Sequence, residues 1–452
     1  MAYYKRHIDD ILAKWKDEPR RKPLLIRGAR QVGKSSAVRE FGKSFKYYIE
    51  INLERQPSLA TLFTDDIDIH KICTNISAAT SKPVIPGETL LFIDEIQISR
   101  QAIMSLRYFK EDYPELHVIA AGSLLEFALE ELPAFGVGRI RSLYMYPFSF
   151  DEFLTAQGLH IQVDFKKQCN AQNPLNEAVH KQLVDQVRSY YIVGGMPAVV
   201  NEWIETRNYL SCAHIQSDII DTYIDDFSKY RRRISPILLR QVWHSAALQA
   251  GKKFVFSQAA SDIRSSSIRE ALHMLTLAGL VIPVVHSDGN GIPIGAEADN
   301  RYIKYLFSDT GLMLNILKIP IADIILSSDI DLVNKGSISE IFAGLELIKY
   351  SDCHQRPELY YWQHMSKNGN AEIDYLHSKE NNVIPIEVKA STRGSMQSLY
   401  LFMRKKHLNC GIRSSLENFS QFEYIDKEDN NQSRNINVVP LYAISNIIQN
   451  QY

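Results

Sequence analysis

Two kinds of hydrophobic patterning alternate along the first third of the chain. Unbroken apolar runs at Leu24-Leu25-Ile26, Leu90-Leu91-Phe92-Ile93 and Leu116-His117-Val118-Ile119-Ala120-Ala121 have the length and continuity of strands buried on both faces. Around them, Ile8, Ile11, Leu12 and Trp15 recur at helical spacing, residues 36–41 and 100–113 read as helices, and 58–79 reads as a broken one. Residues 47–53 add another strand and 142–148 a last one. Strand alternating with helix predicts an α/β domain on a parallel sheet over residues 1–150. The pattern then changes. Residues 151–250 are mostly helical, with a polar loop at 168–176, and predict a helical lid. Residues 251–319 give helices at 257–263 and 267–278, a strand at 280–285, a glycine-rich loop and a returning strand at 302–307, the order of a winged helix. Residues 320–452 open with an amphipathic helix over 336–350 and continue in strands at 371–376 and 383–390.

Composition adds little to this and excludes several classes. Of 452 residues, 45% are hydrophobic and 23% charged, with a net charge of −1, so no general basic excess points to nucleic acid. The five cysteines, Cys73, Cys169, Cys212, Cys353 and Cys410, are scattered without metal or redox spacing, as suits a reducing compartment. The N-terminus lacks a signal-peptide core, and no apolar run reaches membrane-spanning length. A cytoplasmic protein without membrane contact is expected.

The first chemistry lies where the first strand ends. Gly28-Ala29-Arg30-Gln31-Val32-Gly33-Lys34-Ser35-Ser36 matches the P-loop spacing at every fixed position. Glycines let backbone N–H groups curl around a phosphate, Lys34 offers a point charge to its oxygens, and Ser35 offers a hydroxyl to Mg²⁺. A P-loop calls for an acidic strand end nearby. Phe92-Ile93-Asp94-Glu95 supplies it, with Asp94 placed to hold Mg²⁺ through water and Glu95 to polarise the attacking water. ATP and Mg²⁺ are the expected cofactors. Ser123, at the end of the 116–123 run, either senses the γ-phosphate or caps the helix that follows, or both. Arg139 and Arg141 are candidates to reach a nucleotide in their own or a neighbouring subunit, which would make the protein a homo-oligomer. An ordinary surface arginine is the alternative reading of each.

Further along, Gly194-Gly195-Met196-Pro197 marks a tight turn with a structural role. The basic cluster Lys229-Tyr230-Arg231-Arg232-Arg233 is a solvated face or a nucleic-acid contact. In the winged-helix segment, Arg264, Ser266, Arg269 and His273 are the side chains that a recognition helix would present to DNA; protein contact is the alternative use.

The strings Arg27-Gly28-Ala29-Arg30-Gln31-Val32-Gly33-Lys34-Ser35, Phe92-Ile93-Asp94-Glu95-Ile96-Gln97, Ala121-Gly122-Ser123, Gly138-Arg139 and Tyr146-Pro147-Phe148-Ser149-Phe150-Asp151-Glu152-Phe153 together resemble a large prokaryotic family. Tyr191-Ile192-Val193-Gly194-Gly195-Met196-Pro197 and Leu306-Phe307-Ser308-Asp309-Thr310-Gly311-Leu312 are also similar to its signatures. Its members join an AAA-type P-loop ATPase domain to a C-terminal domain of unknown function. The resemblance implies an ATPase fold and a nuclease-like tail over nearly the whole chain.

In that tail, Asp374 followed by Glu387-x-Lys389 resembles the metal-dependent restriction-endonuclease pattern. Two carboxylates at adjacent strand ends can hold Mg²⁺, and a lysine two residues on shares the strand face. Glu340 would reach the metal from its helix. Gln397 and Tyr400, three apart, depart from the four-residue spacing of one nuclease branch. Two functions follow as expectations: an Mg-ATP-dependent ATPase acting on DNA through residues 251–319 and 320–452, or a nucleotide-dependent switch that binds a protein partner and has no nuclease activity.

Overall fold

The structure, a computed structural model, describes residues 2–132, 138–231, 233–321, 338–366, 369–389 and 395–449. Arg232, residues 336–337 at the start of an expected helix and residue 390 at the end of an expected strand lie outside the described residues. The chain forms two compact units.

The first unit holds residues 1–148 with the short segments 277–279 and 352–356. Its sheet comprises β1 (Leu24–Arg27), β2 (Tyr47–Asn52), β3 (Thr89–Asp94), β4 (His117–Ala121) and β5 (Arg141–Tyr144), in the order β2-β3-β4-β1-β5. Every pairing is parallel, so both faces need covering, and β3 and β4 are buried along their whole length. Alternate residues feed two cores. Leu25, Leu91, Ile93, Val118 and Ala120 pack on one side, Leu24, Ile26, Leu90, Phe92 and Ile119 on the other. The helices Ile69–Thr80 and Arg100–Asp112 start on side-chain caps from Asp68 and Ser99, each accepting a backbone N–H that the first turn leaves open. The parallel α/β domain is as expected.

The second unit holds residues 149–276, 280–351 and 357–452. Among the described residues its sheet has eight strands: β6 (Val281–Ser287), β7 (Ala298–Phe307), β8 (Leu359–Ser366), β9 (Gly369–Lys379), β10 (Asn382–Val388), β11 (Cys410–Ser415), β12 (Ser420–Asp426) and β13 (Gln432–Pro440). The order is β12-β13-β11-β10-β9-β8-β6-β7. Here the structure departs from expectation. The hairpin read as a wing, β6 and β7, is one end of this sheet, and β6 pairs in parallel with β8, Val284 opposite Leu359. A boundary at 319/320 therefore runs through a single sheet. Of the two expected helices before the hairpin, the second is present as Ser265–Leu277, while the first is the single turn Phe256–Ala259. The described part of residues 151–250 is mostly helical, as expected, from Phe150–Ala156 to Pro236–Leu248.

The helix Ile338–Lys349 is a second correction, because it is not amphipathic. Every residue from Ile338 to Ile348 is buried, Glu340 and Glu346 included. The polar residues that suggested a wet face are paired inside instead: Glu346 accepts the N–H of Phe150 at 2.9 Å and the Lys349 ammonium at 3.0 Å.

The two signature strings of this unit meet. Asp309 caps the helix Thr310–Ile316 by accepting the Leu312 N–H at 3.0 Å, while its other oxygen accepts the Gly195 N–H at 2.6 Å. Gly194 sits at φ +72, and a Cβ there would come within 2.2 Å of that carboxylate. Asp309→Ala leaves a helix start and a buried N–H unsatisfied. It should cost about 2–4 kcal/mol, read as a lower denaturant midpoint, with Asp309→Asn recovering much of the loss.

Candidate functional site

The P-loop leaves β1 at Gly28, whose φ of +139 and absent Cβ are both required: a Cβ would fall 2.1 Å from the Met145 carbonyl oxygen. Gln31 and Gly33 also take positive φ, closing the loop onto the helix Lys34–Gly42. Ala29 and Val32 are buried, Arg30 is half-buried, and Gln31 and Ser36 are exposed. The Lys34 ammonium is folded back into the loop, donating to the carbonyls of Gly28 and Ala29 at 2.7 Å each. Burial pushes its pKa down to about 8, with Glu95 and Asp94 pulling the other way. A phosphate anion at the loop would restore the charge that burial weakens.

β3 delivers Asp94 opposite Ser35. The Ser35 hydroxyl lies 3.1 and 3.0 Å from the two Asp94 oxygens. Burial and then Glu95 raise the Asp94 pKa, so a divalent cation between hydroxyl and carboxylate would relieve both effects. The donor set fits Mg²⁺. Glu95 adopts φ +51, a left-handed turn that swings its carboxylate off the strand direction. One of its oxygens then accepts three donors: Gln97 Nε2 at 2.6 Å, the Ser123 hydroxyl at 3.1 Å and the Ser123 N–H at 3.3 Å. Ser123 thus contacts Glu95, and it does not cap the next helix, whose N-cap is Leu124.

Three residues that sequence reading does not single out complete the site. Asn52, the register partner of Asp94 across β2 and β3, donates to its carboxylate at 3.1 Å. Gln97 positions Glu95, and a Cβ on Gly122 would strike its amide oxygen, so the glycine makes room for it. Arg6, buried ahead of the first helix, donates to the Val32 carbonyl at 3.1 Å and to that of Tyr146 at 2.7 Å, bracing the loop. A polar residue at the end of the neighbouring parallel strand is the one signal for Asn52 that the sequence offers. Arg139 is half exposed and ion-paired with Glu111; Arg141 forms a bidentate pair with Glu18 at 2.5 and 2.7 Å.

In the second unit the expected carboxylates converge on one region. The ligand atoms of Glu340, Glu372 and Asp374 lie within 4.8 Å of one another. Glu372 is an addition to the expected set. Asp374 accepts the Val388 N–H at 2.7 Å, and the Lys389 ammonium donates to Glu387 at 2.5 Å. A further lysine, Lys304 of β7, donates to Glu340 at 3.0 Å and to Glu372. Burial raises the pKa values of Glu340, Asp374 and Glu387, the two glutamates to about 8. Burial lowers that of Lys304, but Glu340, Glu372 and Asp374 outweigh it and hold the ammonium charged. The second Glu387 oxygen is buried without a hydrogen-bond partner among the described residues, outside the three-carboxylate group.

Arg264, Ser266, Arg269 and His273 are exposed on or beside Ser265–Leu277, with Arg269 stacked over the Phe256 ring. Lys229 of the basic cluster is ion-paired with Asp226 at 2.8 Å. Among the described residues, no helix is long and apolar enough to cross a membrane.

A family model described as an AAA domain matches residues 20–154. Two described as domains of unknown function, DUF8612 and DUF4143, match 184–322 and 335–444. No curated protein matches the chain. Among solved structures, that of the Aeropyrum pernix ORC1 protein in complex with DNA is similar at 12% identity, over 71% of this chain and 93% of that one. The TM-score of that match is 0.29. Residues 20–154 thus match an AAA-domain model and carry a P-loop on a parallel α/β sheet.

Proposed function

We propose that this protein is an Mg²⁺-dependent ATPase. One observation carries the reading: the Lys34 ammonium at the P-loop, the Ser35 hydroxyl on Asp94 and the Glu95 carboxylate fixed by Ser123 and Gln97 come from separate strand ends to one edge of the sheet. Lys34 and the loop N–H groups bind phosphate oxygens. Ser35 and Asp94 would hold Mg²⁺, which neutralises charge on the phosphates. Glu95 takes up the proton of the attacking water, and its own position is set by Ser123 and Gln97. Asn52 keeps Asp94 turned toward Ser35. The test is release of inorganic phosphate from ATP by the purified chain, with and without Mg²⁺; turnover that ignores the cation would sink the reading.

Arg139 acts, on this reading, on a nucleotide bound by a neighbouring copy, exchanging Glu111 for a phosphate. Turnover should then rise with protein concentration, and mixing Arg139→Ala with Glu95→Gln subunits should restore part of the activity lost by each alone. A fully active monomer rules this out.

The second unit serves, on our reading, as the partner-binding part of a nucleotide-dependent switch without nuclease activity. Lys304, which places a protein ammonium among the expected metal ligands, supports the absence of nuclease activity in this reading. DNA remains the rival partner, through Arg264, Arg269 and His273. Binding of the chain to duplex DNA that weakens steeply with salt would support DNA; ATP-dependent retention of a protein from native cells, insensitive to nuclease treatment, would support the switch.

A further inference from the structure

The pattern Asp374, Glu387-x-Lys389 with Glu340 implies a divalent metal, and the residues around it can be tested for that role. Three carboxylates gather as a metal would require, but a cation of the protein already lies among them. Lys304 is 1% exposed, and its ammonium donates to Glu340 Oε1 at 3.0 Å and to Glu372, two of the three. It reaches them across the sheet face from β7, passing over the Tyr361 ring of β8 at 4.9 Å. The third, Asp374, accepts the N–H of Val388. Glu387 is not one of these three but lies near enough to Asp374 and Glu372 for their charges to act on it, and one of its oxygens accepts the Lys389 ammonium. A divalent ion among Glu340, Glu372 and Asp374 would sit within a few ångströms of a buried ammonium, and the two cations would repel strongly at low dielectric. The residues present do not fit the metal.

We propose that Lys304 is the resident cation of this cluster. It occupies the place of a divalent metal, ties β7 to β9 and to the helix Ile338–Lys349, and leaves the C-terminal unit without metal-dependent phosphodiester cleavage. The inference is independent of the ATPase reading, since it concerns no residue of the P-loop. Nothing in the local sequence around Asp374 and Glu387 foretells it, because Lys304 lies 70 residues ahead of Asp374 on a strand three places away in the sheet.

Titration of Mn²⁺ into the full chain without nucleotide, followed by loss of the free-ion EPR signal, tests it. Wild type should show no site that Asp374→Asn removes. Lys304→Met, which keeps the length of the side chain and removes the charge, should gain one, with affinity for Mn²⁺ up about tenfold or more and a melting temperature that rises on adding the ion. Lys304→Arg keeps the charge and should stay folded and free of the metal, so the proposal remains testable where the methionine variant fails to fold. A wild-type Mn²⁺ site lost in Asp374→Asn overturns the proposal, as does a folded Lys304→Met chain that gains none.

Discussion

Lys34→Ala abolishes measurable nucleotide binding while leaving the first unit folded. In the free protein the ammonium holds the loop through two carbonyls at 2.7 Å, and a bound nucleotide replaces those acceptors with phosphate oxygens of full charge. Each charge-assisted hydrogen bond lost is worth roughly 1.5–3 kcal/mol, so removing two or more lowers ATP affinity by at least about a hundredfold. The loss to the fold is smaller. Two loop carbonyls are orphaned, but a buried ammonium whose pKa has already fallen to about 8 is removed with them. Calorimetric titration of ATP together with a thermal melt separates the two effects. Unchanged affinity would remove Lys34 from the site.

Glu95→Gln does the opposite: ATP binds and hydrolysis stops. The amide oxygen of glutamine can still accept from Gln97 and from the hydroxyl and N–H of Ser123, so the turn at φ +51 and the shape of the site persist. The proton acceptor is gone, and general-base assistance of this kind contributes about 10²–10⁴ in rate. Turnover should fall by that factor at nearly constant affinity. The readout is phosphate release at saturating ATP, beside a binding isotherm. A variant that turns over like wild type would assign the water-activating role to some other group.

Much of this site is legible in the order of residues alone. Lys34, Ser35, Asp94 and Glu95 are set by short-range rules: a fixed glycine spacing, a strand ahead of it, and a second buried run ending in acid. Local chemistry of that kind is written in consecutive residues, and folding only has to bring two strand ends together. Ser123 is visible as a position and undecided as a role. Its contact with Glu95 depends on the left-handed turn at Glu95, which no residue preference announces, since glutamate rarely adopts it.

Other features mislead for one reason, that burial and pairing partners are not local. The helix at 338–349 carries four polar residues in twelve and looks half wet, yet Glu340 and Glu346 are satisfied inside by Lys304, Lys349 and a backbone N–H. The hairpin at 281–307 has the spacing of a wing. It is a sheet edge instead, because β6 finds a parallel partner in β8, more than 70 residues downstream.

The sequence by itself determined that the first part of the chain folds on a parallel α/β sheet, and which residues form the P-loop and the acidic strand end beside it, because glycine spacing and apolar run length act over a few neighbouring positions. Tertiary structure alone decided that Asn52 steadies Asp94, that Arg6 braces the loop, and that Lys304 lies among the carboxylates of the second unit. Strand order and register place those side chains, and they are settled by which long-range pairings bury the most apolar surface while leaving the fewest polar groups unpaired.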